Sequence, residues 1–377
     1  MHFTHTDERR MLADTLQRYV STQCPFAMRQ RLAASAEGHS PTHWRALAEL
    51  GALGALFDEA HGGLGGHGFD IAVVFEVLGQ GLVVEPFLPN LLAGSVLAQS
   101  AHPAHAALLS SLMQGEVLAT LAHEEADSHY DPAHVATRAT REAEGWCLQG
   151  AKAAVPFGAQ AQWLILSART QGEVADTDGI GLFALPADTP GLRRTGSPTL
   201  DGSQTATVHL DQVRLPASAL IGPEGRGHAL LEQAIGRGIL ALCAEALGLM
   251  EAAKAATITH LQTRMQFGQP LARFQALQHR MASLLIEVEQ ARSAVVNAAA
   301  ALDGERLARE KALSAAKHSI GRIGTLVAEA CVQLHGGIGM TWELPLAHMA
   351  KRLILIDHQL GDEDHHLARF IALGQPA

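Results

Sequence analysis

Aromatic side chains are scarce, at 5% of 377 residues with only two tyrosines. Together with the abundance of Ala and Leu, that scarcity favours helix. Cysteine is scarce too. Cys24, Cys147, Cys243 and Cys331 are scattered, with neither a pairing pattern nor metal-ligand spacing. Reduced thiols in a cytosolic protein are the simplest reading, and no metal site is expected. Basic residues are outnumbered, 28 Lys and Arg against 38 Asp and Glu, which leaves a net charge of -10. That balance argues against nucleic acid as the main partner. No unbroken apolar run approaches membrane-spanning length, so no membrane partner is expected. The opening Met1-His2-Phe3-Thr4-His5-Thr6-Asp7-Glu8 is polar and acidic. It lacks the basic-then-apolar order of a secretory signal, and a cytoplasmic location is expected. Internal repeats and low-complexity tails are also missing.

The chain that remains is long enough for two or three domains, and its 47% hydrophobic content is ordinary for a globular protein. Residues 1–115 read as helical. Thr6 caps a helix with Asp7 and Glu8 in its first turn, and Ser40 caps another with Pro41 at its first position. Trp44, Leu47, Ala48 and Leu50 mark the buried face of that second helix. Asp58 to Gly68 carries so many glycines that it reads as a loop. Residues 116–222 change to short strands: Val117–Ala122, Trp146–Gly150, Trp163–Ser167, Ile180–Leu185 and the alternating Thr205–Leu210. Their turn-marked spacing suggests an antiparallel, barrel-like β-domain. Residues 223–377 return to helix. Leu277, Met281, Leu284, Leu285, Val288, Ala291 and Val295 form one apolar stripe. Leu313, Ile320, Ile323, Val327 and Ala330 form another, which implies a four-helix bundle.

Two short segments stand out against this background. Arg264-Met265-Gln266-Phe267-Gly268 is followed by Gln275, and Gln333-Leu334-His335-Gly336-Gly337 lies two helices later. An arginine fork fits phosphate oxygens, and a glycine pair lets backbone approach a bulky anionic ligand. This block resembles the C-terminal domain of the acyl-CoA dehydrogenases, and the α, β, α order of the chain matches that family. Asp58-Glu59-Ala60-His61-Gly62-Gly63-Leu64-Gly65 is also similar to a family segment, without its proline. The resemblance implies an α+β chain with an N-terminal helical domain (1–115), a middle β-domain (116–222) and a C-terminal four-helix bundle (223–377). It implies FAD as cofactor and an acyl-CoA as substrate, in fatty or other carboxylic acid catabolism. It implies that Arg264, Phe267, Gln275, Gln333, Gly336 and Gly337 hold the flavin dinucleotide of a neighbouring chain. A homo- or hetero-tetramer with another acyl-CoA dehydrogenase chain follows from that.

Desaturating a thioester needs a base for the α-proton, donors for the developing enolate oxygen, and a hydride acceptor. Aligned on Gly336-Gly337, the family's usual glutamate falls at Gly361, and its alternative location holds Gly236-Arg237. Asp362 is the nearest candidate base. In the middle domain the family's Thr-Glu-Pro is replaced by His123-Glu124-Glu125, and its Trp-Ile-Thr by Ala153-Ala154-Val155. Residues expected to face a neighbour's cofactor are kept, and those expected to face the chain's own flavin ring are not. The first reading is an FAD-dependent acyl-CoA dehydrogenase. The alternative is a non-catalytic subunit that completes the FAD site of a catalytic chain. A third, an Asp-based oxidation of another acid on the same fold, rests on Asp362 alone. The tail from Lys351 to Arg369 and Val84-Glu85-Pro86-Phe87-Leu88 resemble the small subunit type of pimeloyl-CoA dehydrogenase. Asp362–His366 otherwise reads as a solvated turn with Asp364 capping the next helix. Lys152, Arg193 and Arg194 are read as solvated surface, with CoA phosphates as the sharper alternative. His123–Asp127 lacks the second histidine of a zinc helix motif.

Overall fold

The computed structural model describes residues 5–375. The N-terminal part contains α1 (Asp7–Gln23), α2 (Phe26–Ala33), α3 (Pro41–Glu49), α4 (Gly68–Gln80), α5 (Phe87–Leu97) and α6 (Pro103–Met113). Eight strands follow: β1 (Ala119–Ala122), β2 (Arg138–Glu142), β3 (Gly145–Pro156), β4 (Trp163–Arg169), β5 (Ile180–Pro186), β6 (Leu192–Pro198), β7 (Gln204–Pro216) and β8 (Leu220–Ile221). Next come α7 (Gly227–Thr263) and a small hairpin of β9 (Met265–Gln266) and β10 (Gln269–Pro270). The chain finishes with α8 (Gln275–Ala301), α9 (Arg306–His335), α10 (Pro345–His358) and α11 (Glu363–Gly374). Thr6 and Ser40 cap α1 and α3 through their hydroxyls, as their sequence positions suggest.

The chain divides into two compact units. One combines the segment up to Arg31, His67–Val83 and everything from Ile239 onward; the other combines Leu32–Gly66 with Val84–Gly238. The N-terminal helices therefore serve both units, with α1 and α4 in the first and α3, α5 and α6 in the second.

In the second unit the sheet runs open from β6 to β8 in the order β6-β7-β3-β2-β4-β5-β8, with β1 added on β4. Most pairings are antiparallel, but β1 and β2 each run parallel to β4. The sheet is thus mixed rather than purely antiparallel. The long excursion through β2 and β3 between β1 and β4 makes a parallel return possible. Trp146, Leu148, Leu164, Phe183, Val208 and Leu210 form its core. On β7 the inward phase runs through Ala206, Val208 and Leu210, then resumes at Val213 and Leu215. The extra residue is absorbed at Gln212, which takes φ 50°, and the register against β3 shifts there.

In the first unit, α7 is buried on every side from Leu240 to Met250, the signature of a central helix. It meets α4 at backbone distance. A Cβ on Gly248 would lie 2.0 Å from the Glu76 carbonyl, and one on Gly79 would lie 2.0 Å from that of Glu245. Only glycine allows this approach. Met281, Leu284, Val288, Ala291 and Val295 of α8 are buried. Leu285, expected on the same stripe, is exposed together with Ile286. Residues 284 and 285 are about 100° apart around the helix, so only one of them faces the core. α10 and α11 both pack on α9, so among the described residues the C-terminal helical part runs from α7 to α11.

Candidate cofactor site

The end of α7 leads directly into Arg264, whose N–H bonds the His260 carbonyl at 2.9 Å and whose carbonyl accepts from the Leu271 N–H at 2.9 Å. That frame holds the β9–β10 hairpin. Its two-residue turn is Phe267-Gly268, with φ of 51° and 76°. Strand twist demands positive φ at both turn positions. Glycine adopts it freely, whereas phenylalanine does so at a steric cost. Phe267 nonetheless sits 89% exposed at the tip. Its ring lies edge-on to Phe274, with centroids 6.0 Å apart. Gln275 follows as the first residue of α8.

Helix α9 closes at Gly336, which takes φ 68° and bonds back to the Gln333 and Val332 carbonyls. Gly336–Met340 then forms a 3-10 turn. The two segments, far apart in sequence, meet through a pair of rings. His260 on the last turn of α7 stacks on His335 with centroids 4.4 Å apart and planes 23° apart. His335 is anchored by its Nδ1, 2.9 Å from the Cys331 carbonyl. Arg264, Phe267, Gln275, Gln333, Gly336 and Gly337 are all exposed. A Cβ added at Gly268, Gly336 or Gly337 meets no atom within 4 Å. An exposed guanidinium beside open glycine backbone and an exposed aromatic ring fits the diphosphate and ring systems of a dinucleotide. Met265, Ile338, Met340 and Trp342 are exposed around it, a concentration of apolar surface typical of protein contacts.

The position aligned with the base is built differently. Leu360 and Gly361 take φ of 57° and 103°. The Lys317 ammonium, fully buried, donates to the Asp357 carbonyl at 2.7 Å and the Gly361 carbonyl at 2.5 Å. The Leu360 carbonyl lies 2.9 Å from His366 Nε2. A Cβ at Gly361 would start 2.6 Å from His366 Nε2 and 2.7 Å from His365 Cδ2. The space for a side chain at 361 is therefore filled by imidazole. His366 is driven down to about 3, chiefly by burial, so it stays neutral. Asp362 takes the extended conformation of a cap, and its Oδ1 accepts from the His365 N–H at 2.8 Å. The helix starts at Glu363, so Asp362 is the cap and Asp364 lies inside the first turn.

The middle-domain segment His123-Glu124-Glu125 is a loop beside β3. Lys152, read from sequence as surface, is fully buried. Its ammonium meets Glu125 at 2.7 Å, Ser167 Oγ at 2.9 Å and the His123 carbonyl at 3.3 Å. Glu125 also accepts from the Ala136 and Thr137 N–H groups, at 2.7 and 3.1 Å. Burial pushes Lys152 down to about 8, against the pull of Glu125, and pushes His123 down to about 3. Glu124 is raised to about 7, again by burial. Arg194 is likewise structural, donating to the Gly158 and Ala161 carbonyls at 3.0 and 2.8 Å.

Three family models match consecutive stretches: acyl-CoA dehydrogenase N-terminal domain over residues 6–116, middle domain over 120–213 and C-terminal domain over 225–367. The chain belongs to the acyl-CoA dehydrogenase family. Among similar proteins is the short-chain specific acyl-CoA dehydrogenase of Megasphaera elsdenii, 30% identical over 80% of this chain and 82% of that protein. The long-chain specific mitochondrial enzyme of Sus scrofa is 30% identical over 81% of this chain and 72% of its own. A solved structure of the Tcur3481–Tcur3483 steroid ACAD superposes with a TM-score of 0.88 at 31% identity, covering 97% of both chains.

Membership in this FAD-dependent family separates the site residues into two groups. The His260–His335 stack joins the end of the α7 segment carrying Arg264 to the turn that leads into Gly336-Gly337, and Arg264, Gly336 and Gly337 are all exposed. The structure places Asp362 on a helix cap at a closed turn. Sequence reasoning missed His260, Lys317 and His366. The i, i+4 spacing of His260 to Arg264 was the one available signal for the first, and nothing local marked the other two. No helix among the described residues is long and apolar enough to cross a membrane.

Proposed function

We propose that this chain takes part in the α,β-desaturation of an acyl-CoA thioester, with its Arg264–Gly337 corner holding the diphosphate end of FAD. The convergence of Arg264 with an open glycine cradle carries this reading. FAD, when bound, supplies the hydride acceptor. Arg264 offers paired N–H donors to phosphate oxygens. Gly336 and Gly337 leave room for the ligand, and Phe267, Gln275 and Gln333 are its further proposed contacts. Asp362, one residue past the aligned position, is the chain's own candidate to take the α-proton, using the carboxylate oxygen that the cap leaves over. The exposed apolar residues around the corner support assembly into a homo- or hetero-tetramer, so that the cofactor is shared between chains. The four cysteines form no disulfide among the described residues, which fits a cytoplasmic location. The same reading divides the chain into domains 1–115, 116–222 and 223–377.

One observation favours a second reading. The filled space at Gly361 suits a chain that completes the flavin site of a different acyl-CoA dehydrogenase, as the paired names of the steroid ACAD structure suggest for that protein. The small subunit type of pimeloyl-CoA dehydrogenase belongs to the same reading. The relatives named as dehydrogenases in their own right favour the first. Purified protein that is yellow and bleached by an acyl-CoA supports the first reading. Loss of bleaching in Asp362→Asn, with flavin retained, assigns the base. A colourless, folded protein that gains flavin only when co-expressed with a second dehydrogenase chain supports the second. Unchanged flavin content after Arg264→Ala contradicts both.

A further inference from the structure

Two histidine rings lie beside the arginine at the Arg264 corner. That corner is formed where α7 and α9 both end, and helix C-termini carry partial negative charge. An anion held there needs that charge offset. His260 lies one turn before Arg264, so the two side chains share a face of α7. Its ring is stacked on His335, which directly precedes the Gly336-Gly337 cradle. Nδ1 of His335 is committed to the Cys331 carbonyl, which leaves Nε2 as the ring's remaining polar atom. The charged and titratable groups facing His260 are His335 from α9 and Arg264 just past the end of α7.

We infer that the stacked His260–His335 pair is a proton-linked part of the dinucleotide's anion site, taking up a proton when a diphosphate binds beside Arg264. This rests on the reading of the corner as an FAD site. Without ligand, burial and then the neighbouring His335 and Arg264 hold His260 below its ordinary value. A diphosphate brings negative charge to the same corner and reverses that preference. Binding and protonation are then linked, and the affinity for FAD rises as pH falls.

The test is FAD affinity of the flavin-stripped assembly, read by flavin fluorescence between about pH 5.5 and 8.5. Wild type is expected to weaken steadily as pH rises, by up to about tenfold per unit for each proton taken up. His260→Phe keeps a stacking ring but carries no proton, and is expected to flatten that slope. Arg264→Ala is expected to weaken binding at every pH. A His260→Phe slope identical to wild type overturns the inference and leaves the FAD site standing. A wild type that binds no FAD, or an Arg264→Ala variant that binds as wild type does, overturns both. Should His260→Phe not fold, imidazole NMR titration of the wild type decides. One of the paired rings must titrate at higher pH with FAD present, and identical titrations with and without FAD overturn the inference.

Discussion

The corner at Gly336-Gly337 and the turn at Gly361 are both glycine sites of one compact unit, and they are opposites. At the corner an added Cβ meets nothing within 4 Å. At the turn it meets two imidazoles at 2.6–2.7 Å, while a buried ammonium fixes the carbonyl. The first glycine pair leaves the space beside its backbone open. The second permits a backbone shape that the chain itself has filled. A glycine in a motif therefore says little until the space beside it is known.

The sharpest way to break this contrast is Gly361→Glu. If 361 were merely a lost glutamate, the substitution would restore a base. The filled turn instead predicts strain from φ 103° and a clash with His366, costing about 3–5 kcal/mol. Denaturant unfolding measures it, and no gain of acyl-CoA bleaching is expected. Lys317→Met comes next. It leaves the Asp357 and Gly361 carbonyls without their donor, at about 2–4 kcal/mol. A loss under about 0.5 kcal/mol would show that the turn is not held by that ammonium. Glu85→Gln asks whether a buried carboxyl is tolerated elsewhere. Burial raises Glu85 to about 7 from 4.5, and Oε1 has no hydrogen-bond partner among the described residues. A raised folded pKa means that its contribution is fully present below pH 4.5 and is lost as pH rises through about 7. The variant should therefore gain about 1–3 kcal/mol over wild type at about pH 8 and nothing at about pH 4. Equal differences in melting temperature at both pH values would count against that burial.

Much of the fold could be read from residue patterns, because the patterns are local. Thr6 and Ser40 cap where a hydroxyl precedes an apolar period, and the buried stripes of α8 and α9 follow helical spacing. The strands β2 and β6 escaped because they are mostly exposed and carry charge, with Arg138, Arg141, Arg193 and Arg194 among their residues. Lysine usually lies at the surface, so residue type alone places Lys152 there. Its burial depends on Glu125 and Ser167, which only the folded sheet brings near. Asp362 and Asp364 are equally good caps by residue type, and the extended backbone at 362 decides between them. The candidate cofactor corner was legible as two motifs. The ring stack of His260 on His335 that joins them was not, since it pairs residues on helices with no shared periodicity.

Gly337→Val tests the central claim most directly. The position has no positive φ and no neighbour within 4 Å, so the change should leave fold and melting temperature as they are and only fill the cradle. The measurement is the FAD-to-chain ratio of the purified assembly, wild type against variant. The account predicts bound flavin in the wild-type assembly and its loss from an equally folded variant. A variant that carries as much flavin as wild type would contradict it.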